Sequence, residues 1–310
     1  MAFAKRIILF LAVNFLVVLT ISLVLNILNV RPYLQHYGLD YYSLALFCLI
    51  WGIGGALISL SLSRIMAKWL MSIELVDAHT KNPQFAKLVS MVSALSQAAH
   101  LKAVPEIGVY NSADINAFAT GPTQRRSLVA VSSGLLNRMS DSELKAVLAH
   151  EISHIANGDM VTMTLIQGIV NAFVMFLARI LAFALSGLQK NKNEGRASSH
   201  GSFMMMTFVF EILFMILGSM VIGWFSRQRE FRADAGGARL AGKNAMIGAL
   251  RALQRVQEKV LREAEPKAAL AASFEALKIS APKGKSWLRF FATHPPLEDR
   301  IAQLEMLSCN

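Results

Sequence analysis

Two stretches of this chain hold no charged side chain at all. Ile7 to Val30 lies between Arg6 and Arg31, and Tyr41 to Ser63 lies between Asp40 and Arg64. Two more are nearly as apolar. Met160 to Gln189 contains only Arg179, and Ser202 to Phe225 contains only Glu211. A helix of about 20 apolar residues crosses a bilayer core, so all four are long enough. Composition agrees, because 54% of the 310 residues are hydrophobic and only 16% are charged, short of a soluble domain's usual quarter or so. A disordered chain, a collagen-like chain and an ordinary soluble globule are excluded. The two cysteines exclude a disulfide scaffold, and neither looks paired, since Cys48 sits in an expected span and Cys309 next to the C-terminus. The net charge of +11 is read as orienting the chain at a membrane, with no nucleic-acid motif beside it.

The first stretch exceeds the roughly 7–15 apolar residues of a signal peptide and lacks a small-residue cleavage site, so a retained anchor is expected. Lys5 and Arg6 precede it, and Arg64, Lys68 and Lys81 follow the second stretch, with only Arg31 between. Positive flanks face the cytoplasm, which puts everything after Arg64 on that side. Arg227, Arg229 and Arg232 after the fourth stretch agree, whereas Lys190, Lys192 and Arg196 between the third and fourth do not. The latter pair either crosses the membrane or forms a hairpin that enters without fully crossing. Arg179 and Glu211 each lie roughly 14 Å from the loop of that hairpin, counted at helical rise, so they either pair across it or act separately.

Four segments are expected. Residues 1–64 are a pair of transmembrane helices, 65–158 a cytoplasmic piece with a small sheet, 159–225 an apolar helical hairpin, and 226–310 a second, mainly helical cytoplasmic piece with a break near 281–286. In the first soluble piece, Asn82 and Pro83 open a helix expected to reach Leu101. Glu106–Tyr110 and Ser127–Ser132 alternate like strands, and 114–121 reads as a turn and a strand. Ser140-Asp-Ser-Glu143 is a capping box, so a helix starts there and ends at Asn157-Gly158.

That helix carries His150-Glu-Ile-Ser-His154. Residues four apart share a helix face, so two imidazoles at this spacing can grip one metal ion, and Glu151 stands one residue round, where it can act on water as a base. By chance the pattern arises less than about once in a hundred chains of this composition. A catalytic zinc takes a third protein ligand and keeps one position open. Glu230 is the candidate, with Asp234 one turn on, placed to accept a hydrogen bond from the outer nitrogen of His150 or His154. One Zn2+ per chain is expected. The even number of apolar stretches between His150 and Glu230 keeps both on one side of the membrane.

These motifs resemble those of the peptidase family that includes HtpX-type bacterial membrane proteases and the CAAX prenyl proteases. The likeness covers most of the chain. It rests on the N-terminal spans, Asn116-Ala-Phe-Ala119, His150-Glu-x-x-His154 with Asn157-Gly-Asp159, the apolar hairpin, Glu230-Phe-x-Ala-Asp234, and Thr293-His-Pro-Pro296 with Arg300. About four apolar helices resemble the HtpX type in particular. The resemblance implies an α-helical membrane protein with a mainly helical, zincin-like (gluzincin) α+β protease domain facing the cytoplasm. It implies a multi-pass zinc endopeptidase of the bacterial inner membrane that cuts misfolded or damaged membrane proteins. It also implies that Asn116, Ala117, Phe118 and Ala119 line the cleft, that His294 steadies the tetrahedral intermediate, and that Arg300 supports the site. The partners are then the lipid bilayer and polypeptide substrates. Three rivals are an intramembrane protease, a metal transporter or sensor, and an inactive adaptor. Asp141, Glu143 and Lys145 beside the motif oppose the first, the absence of ligand spacing within spans opposes the second, and an intact Glu151 opposes the third.

Overall fold

The computed structural model describes residues 41–188, 196–263 and 294–307. The expected span Ile7–Val30, the break near 281–286 and Cys309 lie outside them. In chain order the elements are α1 (Tyr41–Leu70), β1 (Glu74–Leu75), α2 (Pro83–Ala98), β2 (Glu106–Tyr110), β3 (Ala117–Thr123) and β4 (Arg126–Ser132). They continue with α3 (Ser133–Arg138), α4 (Asp141–Asn157), α5 (Asp159–Leu188), α6 (Arg196–Ala241), α7 (Lys243–Glu263) and α8 (Leu297–Met306). Among the described residues, three helices are long and apolar enough to cross a membrane: Tyr42–Leu70, Asp159–Leu185 and Gly201–Ala241.

The described residues form two compact units, one drawn from 41–59 and those of 164–222, the other from 60–163 and those of 223–307. Helices α1 and α6 run continuously past residues 64 and 225, and α4 meets α5 at Gly158.

In the unit that holds the sheet, the strand order is β1-β2-β4-β3. β4 pairs parallel with β2 and antiparallel with β3. Its run Leu128-Val-Ala-Val131 is fully buried, as a central strand covered on both faces must be. Val129 and Val131 meet Leu88, Val92 and Leu95 of α2 and Leu148 and Ile152 of α4. Leu128 and Ala130 face Ile73 and Tyr110. β3 ends the sheet, so one row of its peptide groups is free of ladder bonds. α2 begins as expected, with Asn82 accepting from the Gln84 N–H, but it stops at Ala98 rather than Leu101. His100 there takes a positive φ of 53°, which a continuing helix does not permit. Arg64 and Lys68 of α1 reach Glu106 at the head of β2, at 3.3 and 2.7 Å. Met246 and Leu250 of α7 pack on Leu297, Ile301 and Leu304 of α8 and on Ala146 of α4.

The other unit is helical. A Cβ added at Gly52 would lie 2.5 Å from the Gly168 carbonyl oxygen and 2.6 Å from the Ala172 nitrogen, so α1 and α5 touch backbone to backbone. Small residues serve this purpose where lipid removes the hydrophobic drive for helices to associate. Arg179 and Glu211 pair at 2.7 Å. The same guanidinium donates to the Met175 carbonyl at 3.0 Å and stands 5.7 Å from the Phe47 ring centroid. Phe173, Phe208, Val209 and Met215 are more than half exposed, a surface suited to lipid.

Candidate metal centre

The centre is built from α4, the first residue of α5, the distal part of α6, and the start of α8. The capping box forms as read. Ser140 accepts from the Glu143 N–H at 3.4 Å, and Glu143 accepts from the Ser140 N–H at 2.9 Å. At the other end Gly158 takes φ 68°, a left-handed cap that glycine adopts without a Cβ clash. Between these caps, His150 and His154 are buried side by side, with their Nε2 atoms 3.0 Å apart.

α6 carries the candidate third ligand and comes close to α4. A Cβ at Gly236 would sit 2.5 Å from Ser153 Oγ, and one at Gly237 would sit 3.2 Å from the His150 backbone nitrogen. That approach brings the fully buried Glu230 carboxylate to 3.4 Å from His150 Nε2 and 3.5 Å from His154 Nε2. Asp234, one turn on, lies 3.0 Å from His150 Nδ1, one of the two rings it could serve. His154 Nδ1 goes instead to Asp159, at 2.6 Å. In the sequence Asp159 is part of a motif and carries no assigned role. Its one legible signal is an acid directly after a glycine helix cap.

Each outer nitrogen thus faces a carboxylate, which takes its N–H and fixes the tautomer. Both Nε2 atoms then turn lone pairs toward each other across 3.0 Å. Two lone pairs at that distance repel unless a positive charge lies between them. Glu230 Oε2 points into the same space and has no hydrogen-bond partner among the described residues. His150, His154 and Glu230 offer donor atoms all within 4.8 Å of one another. A tetrahedral ion with bonds of about 2.0–2.2 Å to nitrogen and oxygen spaces its ligands roughly 3.3–3.6 Å apart, so these residues fit a metal. The electrostatics agree. Burial alone would lower the His150 pKa, but the Asp234 and Glu230 carboxylates beside it outweigh this and push it up to about 9. The cage favours positive charge at that ring.

Arg300, buried on α8, closes the outer layer. Its Nε and a terminal nitrogen bond both oxygens of Asp234, at 2.7 and 2.6 Å. Burial alone would destabilise this charge, but the Asp234 carboxylate keeps the guanidinium protonated. His294 Nδ1 stands 2.8 Å from Glu230 Oε2 without the alignment of a hydrogen bond. Arg229, which the sequence reading used only as an orienting charge, bonds the other Glu230 oxygen at 3.0 Å. Glu151 lines the cleft beside these groups, as do Asn116, Ala117, Phe118 and Ala119. Asn116 is tied at the head of β3, its N–H donating to Ser132 Oγ at 3.1 Å. The cleft holds about 280 Å³.

A buried His-His-carboxylate cage open to a cleft that carries a further glutamate is what a metalloprotease presents. A model of peptidase family M48 matches residues 82–308. A "Protease HtpX homolog" from Bacillus velezensis is 46% identical over 308 residues, covering 97% of this chain and 99% of that one. A "Protease HtpX" from Aeromonas hydrophila subsp. hydrophila is 47% identical over 305 residues, with the same coverage. The crystal structure of Ste24p from S. mikatae superposes with a TM-score of 0.62 at 16% identity, covering 97% of this chain and 67% of that one, so the fold is shared. The chain belongs to peptidase family M48 and is a membrane-associated metalloprotease of the HtpX type.

Proposed function

We propose that this chain is a zinc endopeptidase of the bacterial cytoplasmic membrane, multi-pass, with its protease domain in the cytoplasm. Its substrates on this reading are misfolded or damaged membrane proteins. Ile7–Val30 is read as a fourth span, and the fold of the protease domain as zincin-like. The observation that carries the metal chemistry is the 3.0 Å approach of the two imidazole Nε2 atoms beside a Glu230 oxygen with no hydrogen-bond partner among the described residues.

Zinc held by His150, His154 and Glu230 would supply Lewis acidity, polarising the scissile carbonyl and making water acidic near neutral pH. Glu151 takes the proton of the attacking water and returns it to the leaving amine. His294, half-exposed at the cleft, donates to the developing oxyanion. Arg300 holds Asp234, and Asp234 holds the His150 ring in register. β3, at the sheet edge, offers its free peptide groups to a substrate in extended form, with Asn116 at its head.

The test uses the purified full chain with chelator and metal add-back. Glu151→Gln keeps about one metal per chain and loses at least about 100-fold in cleavage rate. Cleavage by that variant at the wild-type rate removes Glu151 from its role. The intramembrane rival is separated by mapping cuts, which fall in loops and unfolded segments on this reading and inside spans on the other. The helix bearing the motif has Asp141 and Glu143 in its first turn and is not one of the apolar helices, which favours the former.

A further inference from the structure

Tyr110 ends β2, opposite Ser132 of β4. The Ser132 N–H donates in turn to the Asn116 carbonyl at 2.9 Å, so Tyr110, Ser132 and Asn116 form one row across the sheet. Residues opposite each other in a sheet send their side chains to the same face. The row runs from the interior to the cleft. Tyr110 and Ser132 are buried, whereas Asn116 is exposed and lines the cavity with Glu151. The Tyr110 ring is packed among Ile73, Leu128 and Ala130, with the Phe118 ring 6.0 Å away between centroids. Its hydroxyl is shut off from solvent and has no aligned hydrogen-bond partner among the described residues. A buried hydroxyl left in that state is costly. Among the described residues, Asn116 and Ser132 are near enough to bond it, and Asp114 and Glu151 act on it through charge alone. Ser132 is already saturated. Its hydroxyl donates to the Asp114 carbonyl at 2.6 Å and accepts from the Asn116 and Leu135 N–H groups, each at 3.1 Å. One donor and two lone pairs are the whole capacity of a serine hydroxyl. Burial pushes the Tyr110 pKa up to about 12, so the group keeps its proton. The acceptor that remains for that proton is the Asn116 side-chain oxygen.

We propose that Tyr110 is a positioning residue whose hydroxyl holds the Asn116 side-chain oxygen, so that the Asn116 amino group turns into the cleft and donates to a backbone carbonyl of the substrate. This inference rests on the peptidase reading above and adds to it a residue behind the cleft wall. A carboxamide turned by half a rotation keeps its shape but exchanges donor for acceptor. Unheld, the exposed Asn116 side chain would turn either group to the cleft, and its oxygen would repel a peptide carbonyl. A buried O–H removes that choice, because within the carboxamide only the oxygen accepts from it. The Asn116 backbone is already fixed by Ser132, through both its N–H and its carbonyl. The side chain is the part left to orient, and the Tyr110 hydroxyl, immobilised by the packing of its ring, is the donor beside it.

The probe is a peptide substrate cut by the purified, full-length, metal-loaded chain, with metal content and Tm measured on every variant. Tyr110→Phe keeps the ring and removes the hydroxyl. It is expected to raise KM by roughly fivefold or more, with kcat within about twofold of wild type, about one metal per chain, and Tm no lower. Asn116→Ala raises KM at least as much. In that background Tyr110→Phe adds less than about twofold, because the group it orients is gone. Asn116→Asp, which keeps an oxygen for Tyr110 but has no N–H to donate, loses at least as much as Asn116→Ala. A wild-type KM in Tyr110→Phe overturns the proposal, as does a loss confined to kcat. Equal losses from Tyr110→Phe with and without the Asn116 side chain also overturn it, since they mark a purely structural role. A metal-loaded wild type that cuts no peptide is a different result, which overturns the peptidase reading and this inference with it.

Discussion

At the scale of single residues, a metal in the proposed centre requires two imidazoles whose outer nitrogens keep their protons and whose inner nitrogens are free to bind it. Asp234 faces the outer nitrogen of His150, and Asp159 that of His154. Removing such a partner commonly weakens metal binding about 10–100-fold. Asp159→Ala is therefore expected to raise the metal dissociation constant by that factor, measured by competition with a chromogenic chelator. An unchanged constant would mean that His154 is oriented by packing alone. Arg229 serves the carboxylate in the same way, because its bond to one oxygen of Glu230 leaves the other for metal. Arg229→Gln should weaken metal binding by at least tenfold, with Arg229→Lys recovering part of the loss. Equal affinities in all three proteins would leave Arg229 as a bystander. His150, His154 and Glu230 could be picked out from spacing and chemistry. Asp159 and Arg229 could not, because a neighbour in sequence becomes a partner only once the helix ends or the side chain folds back.

At the scale of elements, what matters is how closely α6 can lie on α4. Gly236 stands where any larger residue would meet Ser153, whose hydroxyl is already committed to the Ala149 carbonyl. Gly236→Ala is expected to destabilise by about 1–3 kcal/mol through overpacking, read as a lowered Tm of the purified protein. Ser153→Gly in the same chain should restore most of the loss, and no restoration would place the strain elsewhere. In the apolar unit, Arg179 and Glu211 form the pair that the sequence left undecided. A double-mutant cycle with Arg179→Gln and Glu211→Gln should show a coupling on the order of 1 kcal/mol, as measured in a membrane-compatible detergent. Additive losses would show two independent side chains.

For the whole molecule, a metal in the proposed site would be a tether. The residues that would hold it come from α4 and α6, which the long helix α5 separates in sequence. An ion bound at 100 times its dissociation constant stabilises the folded chain by about 2.7 kcal/mol. Chelation should therefore lower Tm by several degrees and raise hydrogen exchange in α4 and in α6 beyond Gly223, with both restored by adding metal back. Identical melting with and without chelator would contradict a metal that joins the two elements.

The chain's own residues dictate what local physics controls: which stretches a bilayer tolerates, where α4 starts and stops, and that two imidazoles share one of its faces. Those depend on hydropathy, capping and helical period, all of which act within a few residues. Tertiary contact alone decided the rest. It made α6 one continuous helix past residue 225, brought Asp234 to the outer nitrogen of His150, folded Arg300 onto Asp234, and packed α7 against α8. Such pairings turn on distances between elements, and those are set by where a missing Cβ lets two backbones meet.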